Sequence, residues 1–104
     1  MTQDSIDRWR QRLDELWARC GNVKPGELMS IAESFGRKRI KRSTPHPTYE
    51  SPLPGRPPMT ISGHTTMGKK WVKDAITALR GDLDVLEQIE QRRIKELRSG
   101  NGHA

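Results

Sequence analysis

This chain of 104 residues has one cysteine, one tyrosine and one phenylalanine. A single thiol excludes an internal disulfide. Cys20 falls on an apolar helical stripe, which predicts packing rather than reactivity. Hydrophobic residues make up only 32% of the chain. That leaves material for a small core only. No apolar run approaches the roughly 20 residues that a membrane helix needs. The opening MTQDSIDRWR carries two early acids and no apolar stretch, unlike a secretory signal. One cysteine and three scattered histidines make no ligand spacing, so neither a metal nor a cofactor is expected. A serine–histidine nucleophile pair lacks an orienting acid. These absences predict a cytoplasmic protein without a membrane partner.

Charge, by contrast, is plentiful: 31% of residues are charged and the net charge is +6. It is unevenly spread. Residues 1–22 balance four basic against four acidic side chains, and residues 82–104 hold four basic and five acidic. Residues 23–81 hold eleven basic and four acidic. A basic middle between neutral flanks suggests a polyanion-binding module with accessory helices.

Hydrophobic spacing divides the chain further. Ile6, Trp9, Leu13, Leu16, Trp17 and Cys20 recur with a 3.6-residue period, predicting a helix over 4–20. Asp4 or Ser5 is its expected cap, and Gly21-Asn22 its end. A second helix is expected from Lys24-Pro25, with Leu28, Ile31, Ala32 and Phe35 on its apolar face and Gly36 as its stop. RKRIKR at 37–42 suits an extended segment anchored by Ile40. Six prolines follow between 45 and 58, which excludes the centre of a wide sheet. Leu53-Pro54-Gly55-Arg56 reads as a turn, and Met59-Thr60-Ile61-Ser62 as a half-buried strand. Helix returns near Met67 or Gly68, with Trp71, Val72, Ala75, Ile76 and Leu79 as its apolar face. Gly81-Asp82 is either a break with a new cap or the middle of one bent helix. Leu83, Leu86, Ile89, Ile94 and Leu97 continue the pattern to about Arg98. The predicted organisation is an N-terminal helix at 1–22, a core module at 23–81, a helical extension at 82–98 and a disordered tail at 99–104. The fold class is α+β with a small three-stranded antiparallel sheet.

Three pieces of the core module together resemble the HicA toxin family. They are VKPGELMSIAESFG at 23–36, the histidine and aromatic of RSTPHPTY (His46 and Tyr49), and PPMTISGHTTMGKKWVKDAITALRG at 57–81. In the last, a strand ending in His64 leads into a lysine-bearing helix. The resemblance covers a little over half the chain and rests on order and spacing. It implies an α-β-β-β-α fold like a double-stranded-RNA-binding domain, helices on one face. It also implies an mRNA-cleaving ribonuclease of a toxin–antitoxin pair, with RNA and a HicB-like antitoxin as partners. The family usually has Gly-Ser before its catalytic histidine; Thr44-Pro45 stand there here, and Pro47 follows. Both prolines remove N–H donors that can hold phosphate.

The residues also carry a chemical reading of their own. RNA is cut without metal when a base takes the 2′-OH proton and that oxygen attacks the adjacent phosphate. Histidine suits this, with an unperturbed pKa of about 6.5. His46 is the expected base, and His64 a second candidate. Lys38, Arg39, Lys41, Arg42, Lys69 and Lys70 are the expected RNA-binding cations, since the transition state is more highly charged than the substrate. Strand alternation predicts Tyr49 inward and His46, Thr48 and Glu50 outward. Plainer readings stand beside these. His46 is then a solvent-exposed loop residue, His64 caps the Thr65-Thr66 backbone, and RKRIKR is a solvated face. In them the protein is a non-catalytic RNA-binding module, or an interaction protein that works through its helical flanks.

Overall fold

A computed structural model of the chain describes residues 1–40, 46–61 and 68–101. Helix α1 spans Gln3–Ala18. Its cap is Thr2 rather than the expected Asp4 or Ser5: the Thr2 hydroxyl accepts from the Ser5 N–H at 3.2 Å, meeting one of the unpaired donors of the first turn. A single 3-10 turn at Cys20–Asn22 follows. Helix α2 spans Pro25–Ser34, with Pro25 in its first turn and the Glu27 carboxylate accepting from the Lys24 N–H at 3.1 Å. It ends at Gly36, whose φ of 88° lets the Arg37 N–H reach the Ala32 carbonyl at 3.1 Å. That left-handed cap turns the chain directly into the sheet.

Strands β1 (Lys38–Ile40), β2 (Thr48–Glu50) and β3 (Met59–Thr60) pair antiparallel in the order β1-β2-β3. The register sets Arg39 opposite Tyr49 and Tyr49 opposite Met59. Tyr49 and Met59 are buried, whereas Thr48 and Thr60 join hydroxyls on the other face at 3.1 Å. The turn at Leu53–Arg56 closes as expected, the Arg56 N–H donating to the Leu53 carbonyl at 3.4 Å.

Helix α3 spans Lys69–Asn101 without interruption. Its 33 residues make a rod of about 50 Å at about 1.5 Å per residue. Of the two readings of Gly81-Asp82, the continuous helix is the one found, and it outruns the expected end at Arg98 into the stretch read as a disordered tail. No proline interrupts it, and each added residue brings another backbone hydrogen bond.

One hydrophobic cluster joins the helices with β2 and β3, from Ile6, Leu13 and Leu16 through Leu28, Phe35 and Tyr49 to Ile76, Leu79 and Leu83. Burying each large side chain stabilises the fold by about 1.5–3 kcal/mol. Helix α1 runs antiparallel to α3. Gln3 donates to Glu87 at 2.7 Å, Arg10 to Glu87 at 2.7 Å and Asp84 at 2.9 Å, and Arg80 to Asp14 at 2.8 Å. Hydrogen bonds from Arg10 and then Gln3 hold the Glu87 carboxyl at about 2, below the usual carboxylate range. Lys73 and Arg80 lie over the Trp17 ring at 5.2 Å and 4.7 Å from its centroid. Among the described residues no helix is long and apolar enough to cross a membrane.

Candidate nucleic-acid interface

The sheet is held to α3 by a polar knot. Arg37, the first cation of RKRIKR, is buried, and so is Asp82. Arg37 Nε donates to Asp82 Oδ2 at 2.7 Å and Nη2 to Oδ1 at 2.8 Å. Its Nη1 donates to the carbonyls of Tyr49 at 3.0 Å and Pro57 at 3.1 Å. Arg56 completes the knot, donating to Asp82 Oδ1 at 2.8 Å and the Ala78 carbonyl at 2.7 Å. Gly81 makes room for it: a Cβ there would lie 2.5 Å from Arg56 Nη2. Gly81-Asp82 is therefore a seat for two arginines, not the break and cap of a new helix. The cluster is fully hydrogen-bonded, as a buried ion pair must be to persist. Among the described residues no buried side-chain nitrogen or oxygen lacks a partner.

Away from the knot, the residues just before β2 lie beside the start of α3. There the His46 ring lies 5.6 Å from the Trp71 ring, tilted by 35°. His46 is half-buried, so it is neither a free loop residue nor directed wholly outward. Trp71, expected on the apolar face of its helix, is 41% exposed. Its stripe is centred on Val72, Ala75, Ile76 and Leu79, all buried, and Trp71 sits on the margin. Lys70, Trp71 and Asp74 line a hollow of about 280 Å³ beside it. An imidazole, an exposed indole, a cation and a carboxylate thus meet where β2 and α3 begin.

Among the described residues the expected cations do not gather there together. Lys70 does. The stem of Lys69 instead turns back toward Gly21, whose Cβ position is 3.0 Å from Lys69 Cε. Lys38 and Arg39 are exposed on β1 but alternate between faces. Lys38 stands opposite Glu50, and Arg39 shares a face with Tyr49. Burial, with Glu33 nearby, raises the Tyr49 hydroxyl above its ordinary pKa, and Arg39 partly offsets this. Lys41, Arg42 and His64 lie outside the described residues, as do Thr44 and Pro45. Sequence reasoning missed three things here: the burial of Arg37, its pairing with Asp82 and the exposure of Trp71. An aspartate on an apolar stripe next to a glycine was the available signal for the knot. Among the described residues no group of histidine, cysteine and acidic side chains is arranged to hold a metal ion. Comparison with protein-family models, with curated proteins and with solved structures finds no match.

Proposed function

We propose that the chain binds single-stranded RNA at the His46–Trp71 corner and cleaves it without metal, as the likeness to HicA toxins implies. The observation that carries this reading is the His46 ring 5.6 Å from an exposed tryptophan, beside Lys70. Exposed aromatic rings stack unpaired bases, and a neighbouring lysine neutralises the phosphate between them. The order α2-β1-β2-β3-α3 is the one expected of a double-stranded-RNA-binding-domain-like module, and it supports the reading.

In this reaction His46 takes the 2′-OH proton of a nucleotide bound at the corner. The freed oxygen attacks the adjacent phosphorus, the 5′-oxygen leaves, and a proton reaches it from His64 or water. The proposal includes the cytoplasm as the place of action and a HicB-like antitoxin as protein partner. Exposed Ile89 and Leu97 on the late turns of α3 are apolar side chains that such a partner can cover.

Incubating labelled RNA with the protein in EDTA tests the chemistry. The parent is expected to shorten the RNA, and His46→Ala to lose about 10²-fold or more in rate while remaining folded. Intact RNA with the parent, at concentrations where it binds, leaves the second reading: a non-catalytic RNA-binding module. The placing of prolines on both sides of His46 favours that reading.

A further inference from the structure

The hollow beside Trp71 has a more specific chemistry than general RNA binding. Among the described residues its lining is one cation, one indole and one carboxylate. Lys70 and Asp74 stand four residues apart on α3, a spacing at which opposite charges commonly pair. Both are exposed, and neither makes an ion pair among the described residues. Trp71 lines the hollow with them and has 41% of its surface exposed, an arrangement that core packing does not require. A volume of about 280 Å³ is at the small end of the roughly 300–1,000 Å³ typical of ligand sites. It has room for one base.

The carboxylate selects among bases. Ionised Asp74 is acceptor-only, with two oxygens side by side. Guanine presents two adjacent donors, N1–H and the N2 amino group, on its Watson–Crick edge. Uracil presents one N–H between two carbonyls, which repel a carboxylate. Adenine and cytosine each present one amino group beside a ring acceptor. Only guanine offers the paired donors that match a carboxylate in a bidentate, charge-assisted contact. That edge is occupied in a duplex, so the base must be unpaired.

We infer that this hollow reads an unpaired guanine of single-stranded RNA, with the ring on Trp71, the Watson–Crick edge on Asp74 and the neighbouring phosphate on Lys70. The inference rests on the RNA-binding reading above and names its substrate class.

The test uses the full chain and three 2′-O-methyl nonamers, whose blocked 2′-oxygens prevent cleavage. They are uridine throughout, uridine with one central guanine, and uridine with central inosine, which lacks the N2 amino group. Guanine is expected to tighten binding about tenfold over uridine, with inosine in between. In Asp74→Asn the guanine-to-uridine ratio is expected to fall toward one, whatever happens to both affinities. Equal affinities for all three nonamers with the parent overturn the guanine pocket and leave RNA binding standing. No binding of any nonamer overturns the pocket and the RNA reading together.

Discussion

The knot of Arg37, Asp82 and Arg56 and the corner of His46, Trp71, Lys70 and Asp74 come from the same two regions of the chain, yet they treat charge in opposite ways. In the knot, every charged group faces another inside the protein, and the side chains of Arg37 and Asp82 are fully buried. At the corner, Trp71, Lys70 and Asp74 face outward, and the lysine and carboxylate stand apart. The knot joins β1, the loop after β2 and the middle of α3, so it sets where the sheet sits. The corner adds little to that. Cations of the basic middle are therefore found both in a buried ion pair and on the open surface, and net charge alone does not say which goes where.

The largest expected effect comes from breaking the knot. Asp82→Ala leaves the Arg37 guanidinium buried with only two carbonyls, and should lower stability by about 3–5 kcal/mol. Urea unfolding measures it. Replacing both partners, Arg37→Met with Asp82→Leu, should cost less than Asp82→Ala alone, because the fully buried Arg37 charge is then gone and only the half-buried Arg56, which keeps the Ala78 carbonyl, loses its carboxylate. A double variant as unstable as the single one would mean that the knot acts through shape rather than charge.

A smaller effect tests the seat itself. Alanine is favoured over glycine in a helix by about 0.8–1.0 kcal/mol. Gly81→Ala should nevertheless destabilise the parent, because the new methyl displaces Arg56 from Asp82 and the Ala78 carbonyl. In an Arg56→Ala background the same change should stabilise. Thermal melts of the four proteins give the sign, and two changes of equal sign would separate Gly81 from Arg56.

The smallest effect lies on the far side of α3. The Glu87 carboxyl is depressed from 4.5 to about 2 in the folded chain. Its contribution is therefore fully present above the unfolded value and is lost as pH falls from about 4.5 toward 2. Glu87→Gln should flatten the decline in melting temperature across that window without altering RNA binding at neutral pH. An identical acid profile in parent and variant removes the Arg10–Glu87 contact from the acid response.

Much of this layout is written in local sequence. The stripe from Ile6 to Cys20, the Pro25 start and Gly36 stop of α2, and the Leu53–Arg56 turn are local signals, and each element forms where it is expected. The inward placing of Tyr49 also follows from alternation. What local sequence does not carry are the long-range partnerships. Arg37 and Asp82 are 45 residues apart, and Arg56 and Asp82 are 26 apart. Without those arginines, Gly81-Asp82 reads as a helix end followed by a cap. The corner was legible only in half. The prolines and cations around His46 mark it in the sequence, but Trp71 reads as one more member of an apolar stripe. Its exposure follows from where the stripe is centred once α1 and the sheet have taken opposite sides of α3.

The most direct test of the corner as an RNA site is the affinity of a 2′-O-methyl single strand for the parent, Trp71→Phe and Trp71→Ala. Base–aromatic stacking is worth about 1–3 kcal/mol per base by alanine substitution. Trp71→Ala should therefore weaken binding about tenfold or more, Trp71→Phe should retain most of the affinity, and both should unfold in urea close to the parent. With Lys70 as the main described cation there, log affinity should fall only shallowly with log salt, by roughly −0.7 for each phosphate neutralised. Affinity unchanged in a folded Trp71→Ala protein contradicts the corner as the place where RNA binds.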